Sequence, residues 1–313
     1  MNMWKSGIMG VVIGDALGCP VQFETREEVA KHPVTAMRGF GTFNLPAGSW
    51  TDDSSLTLAL LDSIRRTGAI DCKDIMENFV KWLDEGAFTP YGYAYDIGRT
   101  TMSAIHRYKR CHKPHKSGST DGSSNGNGSL MRIMPAVLYC IQHRMSDGEA
   151  IDIIHKVGSL THAHIRSNIA CGLYYFMAAV ILNEGGPLDN RLRIGLDKGF
   201  AFYEACLTDH ENLEYYDRLR DLHSFAALPE GNIRSTGYVV DTLEAAVWSL
   251  VNADSFTATL LQAVNLGYDT DSVGAVCGGL AGLYYGYDAI PEDWLAALQR
   301  HNWLESMCAD ANN

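Results

Sequence analysis

A CxxC pair is missing from this chain, as is any tight cysteine cluster: the eight cysteines stand at 19, 72, 111, 140, 171, 206, 277 and 308. Such dispersal excludes a disulfide frame or a zinc-ribbon site and predicts reduced, mostly buried thiols in a cytoplasmic protein. Basic residues are scarce, 25 against 37 acidic ones, and the net charge of −12 opposes unassisted binding to a nucleic-acid backbone or an anionic membrane. No run approaches the roughly 18 apolar residues of a membrane span. The opening MNMWKSGIMGVVIGDALG lacks a basic start followed by an unbroken apolar core, so no signal peptide is expected.

A Pro/Gly/Ser linker is also absent, which predicts residues 1–313 as a single domain. Alternating strand patterns are scarce. Helical periodicity predicts helices over 4–18, 54–66, 73–84, 97–109, 130–143, 147–158, 166–182, 190–206, 236–252, 256–265, 272–285 and 292–300, hence an all-α fold. The least regular stretch, KPHKSGSTDGSSNGNGS at 113–129, reads as a flexible surface insertion in its first half. Its end, Asn125, Gly126, Asn127, Gly128 and Ser129, brings glycine-rich backbone to a helix start, where free N–H groups can bind an anion. The pair Arg65 and Arg66 reads as solvated helix surface.

What the chain does have is two acidic blocks, GSWTDDSS at 48–55 and GYDTDSVG at 267–274, each directly before an apolar helix. One Asp, Ser or Thr at each would serve as a helix cap. Asp52 and Asp53, with Asp269 and Asp271, exceed that need, and buried carboxylates in such number must take up protons or hold a cation. An all-oxygen donor set is hard and favours Mg²⁺ or Mn²⁺ over zinc; four aspartates suit two adjacent ions, which can activate water and orient substrate oxygens.

Further motifs stand in order around these blocks: GDALGCPVQFE (14–24), YDIGRTT (95–101), NGNGSLMRIMP (125–135), THAH (161–164), GYVVDTLEAA (237–246) and NLGYDTDSVGAVCGGLAGLYYG (265–286). The set spans nearly the whole chain and resembles the ADP-ribosylglycohydrolase family. GDALG or THAH alone would be weak, but TDD and DTDS blocks separated by NGNGSLMR are specific. The resemblance implies a compact all-α domain with a central two-metal cleft that cleaves ADP-ribose from a modified acceptor. It implies Thr51, Asp52, Asp53, Asp269, Asp271 and Ser272 as ligands of two Mg²⁺ or Mn²⁺ ions, Ser272 standing where the family often has Thr. It also implies a diphosphate site on the backbone of Asn125–Ser129, Asp96 in the substrate cleft rather than merely capping a helix, and His162 near the phosphates or ribose.

Two departures bear on specificity. Relatives often carry glutamate where this chain has Gln22, which can hydrogen-bond but cannot serve as a general base; the nearest carboxylate is Glu24. Since that glutamate is usual where serine-linked ADP-ribose is cleaved, an arginine linkage is expected instead. Tyr268 replaces a small residue, as either a core-facing ring or a rim contact to the acceptor. Asp15 reads as a partner that orients a metal ligand or satisfies buried backbone, Arg132 as a structural ion pair or a diphosphate contact, and Tyr238 as an adenine platform or a core ring.

The expected activity is metal-dependent hydrolysis of the N-glycosidic bond between ADP-ribose and a protein arginine, with ADP-ribosylated protein as partner and ADP-ribose as product. Asp53 is expected to move the proton and Asp96 to contact the distal ribose or guanidinium; Gln22, His162, Tyr268 and the 125–129 backbone are expected to bind substrate. A two-metal hydrolase of free ADP-ribose derivatives, or a non-catalytic ADP-ribose binder, would carry the same blocks.

Overall fold

The computed structural model describes residues 2–309. Its helices are α1 (Met3–Gly18), α2 (Arg26–Lys31), α3 (Asp52–Thr67), α4 (Cys72–Glu85), α5 (Arg99–Cys111), α6 (Met134–Gln142), α7 (Asp147–Gly158) and α8 (Ile165–Asn183). There follow α9 (Leu188–Cys206), α10 (Glu211–Glu214), α11 (Leu222–Ala226), α12 (Val239–Val251), α13 (Phe256–Val264), α14 (Thr270–Tyr285), α15 (Glu292–Ala297) and α16 (His301–Ala309). Among the described residues no strand forms; two isolated bridges join Ser119 to His162 and Gly126 to Tyr238. The all-α expectation holds.

Glycine decides the centre. α1 and α14 are apolar all round, which suits helices buried on every side, and their glycines face each other so closely that backbones touch. A methyl group added to Gly10 would stand 2.1 Å from the Gly278 carbonyl oxygen, and one added to Gly18 would stand 2.3 Å from that of Thr270. Helices α3, α6, α8, α12 and α13 pack around this pair. The approach sets the end of α1, with Asp15, beside the start of α14, with Asp271; Thr270 Oγ1 donates to the Gly18 carbonyl at 2.8 Å.

Several predicted boundaries move for local reasons. The run 130–143 begins as a single 3₁₀ turn, Leu130–Arg132, and α6 starts only at Met134, with Pro135 at its first turn. The run 292–300 breaks after Ala297, where Gln299 donates its backbone N–H to Gly48 (3.1 Å) and Arg300 turns left-handed before α16. The first half of 113–129 is not a loose insertion: Ser119 N–H donates to Thr161 and the Ala163 N–H donates back to Ser119. Nor is Arg65 simply solvated, since it donates to the Met307 carbonyl at 2.7 Å; Arg66 pairs with Asp62 and Asp74 at the surface. By length and composition α8 would suffice to cross a bilayer, but most of it is buried inside the bundle against α9.

Candidate active site

The two acidic blocks meet at the floor of a cleft of about 390 Å³. Asp52 and Asp53 lie in the first turn of α3 and are buried; Asp269 and Asp271 lie at the start of α14. Hydroxyls stitch the blocks together across the fold. Thr51 Oγ1 donates to Asp271 Oδ2 at 3.2 Å, and Ser272 Oγ donates to Asp53 Oδ2 at 3.3 Å. Asp96 joins as a fifth carboxylate, accepting from Gln22 Nε2 at 2.9 Å, and Asp271 is within hydrogen-bonding reach of both Asp96 and Asp269.

Capping does not account for these groups. Thr51 Oγ1 alone caps α3, while Asp269 sits at the N-cap of α14 without making a side-chain cap bond. Asp96 does not cap α5 either, where Gly98 holds the N-cap position without a side-chain bond. Instead Asp96 adopts a left-handed φ of 52° that carries its carboxylate into the cleft wall.

Burial is the main cause that pushes the carboxyls of Asp52, Asp53 and Asp271 far above the ordinary range, and their mutual repulsion adds to it. Asp269 and Asp96 are also raised by burial, against the opposing donors Asn127 and Gln22. Asp53 Oδ1 is buried and has no hydrogen-bond partner. Among the described residues no three Asp, Glu, His or Cys side chains are already gathered as a metal cage. Hydroxyl and amide donors from Thr51, Ser272, Asn127 and Gln22 hold the five carboxyl groups together at the cleft, which Arg99 also lines.

Asp15 lies behind this cluster and outside the cleft lining. It accepts from the Thr51 and Ser54 backbone N–H groups, at 3.0 and 2.9 Å, and from both hydroxyls. It thus fixes the first turn of α3 from α1. Burial outweighs these donors and lifts its pKa to about 6.

Gly126, Asn127 and Gly128 line the opposite wall with His162. Asn127 ties that loop to the second acidic block by donating to Asp269 at 2.7 Å and Thr242 at 2.9 Å. Asn125 and Ser129 lie outside the lining, Ser129 being fully buried against Cys171. A methyl group on Gly128 would come within 2.5 Å of the His162 ring, so that close approach requires glycine. Burial holds His162 neutral, with its pKa lowered to about 3, and Thr161 Oγ1 contacts its Nδ1 at 2.9 Å.

Among the described residues Arg132 meets no carboxylate, and it does not reach the cleft: buried over the Phe79 ring, it donates to Thr161 and Val157. Tyr238 is half-buried, and its hydroxyl accepts from Arg166 at 2.9 Å. The Tyr268 ring is exposed rather than core-facing, at a left-handed φ of 64°, and Glu24 lies outside the lining. Phe23, which no spacing rule singled out, stands in the cleft mouth beside Gln22.

The description ADP-ribosylglycohydrolase belongs to the family model that matches residues 4–313. The chain is 32% identical over 310 residues to the ADP-ribosylarginine hydrolase Tri1 of Serratia proteamaculans, covering 97% of this chain and 77% of that protein. It is 30% identical over 292 residues to the ADP-ribosyl-[dinitrogen reductase] glycohydrolase of Rhodospirillum rubrum, covering 93% and 88%. A solved structure described as an ADP-ribosylglycohydrolase-related protein complex superimposes with a TM-score of 0.79 at 30% identity, over 99% of this chain and 96% of that one.

Proposed function

The chain belongs to the ADP-ribosylglycohydrolase family and is an enzyme of that class, and we propose that it releases ADP-ribose from modified protein arginine with the help of two divalent cations. The observation that carries the reading is the cluster of five carboxylates at the cleft, four of them lining it (Asp52, Asp53, Asp96 and Asp269) and Asp271 buried beneath, with Asp53 Oδ1 unpartnered. Hard oxygen donors and uncompensated negative charge fit Mg²⁺ or Mn²⁺, which Asp52, Asp53, Asp269 and Asp271 would hold with Thr51 and Ser272. When bound, such ions polarise sugar hydroxyls and the attacking water.

The chain's own residues do the rest. Gly126 and Gly128 offer their backbone N–H groups to the diphosphate, while the Asn127 N–H is committed to the Gly237 carbonyl at 3.0 Å and its side chain keeps the loop in register with Asp269. Neutral His162 lends a hydrogen bond to the same region without charge. Asp53 holds or moves the proton at Oδ1. Gln22 cannot cycle a proton, whereas a guanidinium leaving group is readily protonated and makes less demand on a dedicated acid. A cytoplasmic setting, where thiols stay reduced, suits the eight free cysteines.

The decisive assay incubates the protein with arginine-, serine- and nucleic-acid-linked ADP-ribose, with and without Mg²⁺ or Mn²⁺, and measures free ADP-ribose. Metal-dependent release mainly from the arginine linkage is expected. Faster release from serine at equal concentration overturns the linkage assignment, and Gln22→Glu is expected to improve serine cleavage more than arginine cleavage.

Binding of the ions has a separate signature in pH. Raised carboxyl pKa values mean that the folded, ion-free protein keeps protons that the unfolded chain gives up above about pH 4. Its stability therefore falls as pH rises through that window, and a cation relieves the cost by replacing protons. The rise in Tm on adding Mn²⁺ should be larger at pH 7.5 than at pH 5.5. Equal rises at both pH values would contradict carboxylate ligation.

A further inference from the structure

Phe23 is held in a way that neither packing nor backbone preference favours. Its ring is 64% exposed, and its φ of 70° lies in the left-handed region that bulky side chains avoid. Such a conformation persists only where surroundings over-determine it, and functional sites are where it collects. Here the surroundings do so. The Phe23 N–H donates to the Tyr268 carbonyl at 2.6 Å, and the Tyr268 N–H donates to the Glu24 carbonyl at 2.7 Å. From the other side Thr42 Oγ1 donates to the Gln22 carbonyl at 2.6 Å, and Phe43 meets the Phe23 ring edge-on at 6.3 Å.

The ring so presented borders the acidic cleft. Gln22 next to it is buried, and its amide nitrogen donates to Asp96 while Oε1 has no partner; Asp52 and Asp269 line the same cavity. Behind Phe43 the aromatic contact continues to Tyr95 at 5.5 Å, so the platform is rigid. An aromatic face beside clustered carboxylates suits a planar cation, and a guanidinium stacks on such a face while a hydroxyl-linked acceptor gains nothing from it.

We propose that Phe23 is the residue that reads the acceptor, its ring stacking on the guanidinium of the ADP-ribosylated arginine as the sugar enters the cleft. The inference rests on the arginine linkage proposed above. Phe23 touches the acceptor and not the ADP-ribose, so its effect belongs to acceptor affinity.

Phe23→Leu, Phe23→Trp and Phe23→Gly can be compared on an arginine-linked ADP-ribosyl peptide, with ADP-ribose binding followed by calorimetry and folding by Tm. Phe23→Leu keeps apolar bulk but removes the π face, and KM should rise roughly 5- to 30-fold with kcat nearly unchanged. Phe23→Trp should retain or lower KM. Phe23→Gly should raise KM as Leu does, yet keep or raise Tm, because glycine adopts φ of 70° without strain. ADP-ribose affinity should stay constant throughout. An unchanged KM in Phe23→Leu, or an equal loss of ADP-ribose affinity, overturns the proposal while leaving the arginine linkage intact. No release from the arginine-linked peptide by the unsubstituted protein, with release from serine, overturns the linkage and this inference together.

Discussion

Asp271→Asn is expected to abolish measurable turnover while raising the stability of the ion-free protein. Asparagine keeps the side chain's volume and an oxygen able to accept from the Ser272 N–H, which now donates to Asp271 at 2.9 Å. The Thr51 hydroxyl, whose one proton lies between Asp15 at 3.0 Å and Asp271 at 3.2 Å, can give that proton to Asp15 and accept from the amide. Little structure is therefore lost. What disappears is a buried carboxyl group whose ionised form is opposed by desolvation and by Asp53, Asp96 and Asp269. Removing it relieves repulsion in the ion-free state and deprives the cations of a ligand. The rate loss should exceed the roughly 10- to 100-fold seen when only an outer partner of a metal ligand is lost. Asp15→Asn provides that comparison, since Asp15 supports Thr51 and Ser54 from α1, outside both acidic blocks. Calorimetry with Mn²⁺, Tm in chelator and release of ADP-ribose separate the three effects. Turnover at the unsubstituted rate in Asp271→Asn would remove the basis for the metal assignment.

Much of this cleft is legible in the sequence because carboxylates in excess of capping need are unusual at buried helix starts. Asp52, Asp53, Asp269 and Asp271 could be singled out by residue type and by the apolar runs behind them. The helices were legible for a similar reason, since α4 and α5 each bury one stripe that repeats with helical period. Phe23 was not, because its significance lies in a left-handed backbone fixed by Tyr268 and Thr42, partners that no local pattern announces. Ser129 illustrates the converse. It belongs to a glycine-rich anion-type motif by sequence, but the 3₁₀ turn that follows carries it into the core beside Cys171. Arg132, read as a structural ion pair or a diphosphate contact, instead donates through Nη2 alone to the Val157 carbonyl and the Thr161 hydroxyl and lies over the Phe79 ring, its Nε and Nη1 buried without a hydrogen-bond partner. Helix existence follows from periodicity along the chain, whereas these placements depend on contacts between segments far apart in it.

The glycines of α1 and α14 belong to that second kind, and they carry the other large expected effect. Gly14→Ala should destabilise the protein by about 3 kcal/mol or more, at or beyond the upper end of ordinary overpacking. The added methyl would stand 1.9 Å from the Gly274 carbonyl oxygen, and Gly274→Ala would meet the Gly14 oxygen at 2.4 Å. In both cases the obstacle is backbone inside two buried helices, which cannot rotate aside as a flexible side chain can. The helices must separate, and separation moves Asp15 and the Thr51 turn it holds away from Asp271. Activity should therefore fall further than the folded fraction does. Gly148→Ala is the matched control: Gly148 lies in α7 with nothing within 4 Å of the added carbon, so alanine should stabilise that helix by about 0.5–1 kcal/mol. Opposite shifts in Tm for the two glycine-to-alanine changes are the expected result. A Gly14→Ala protein that melts with the unsubstituted one and turns over normally would show that the α1–α14 approach does not set the geometry of the acidic cluster.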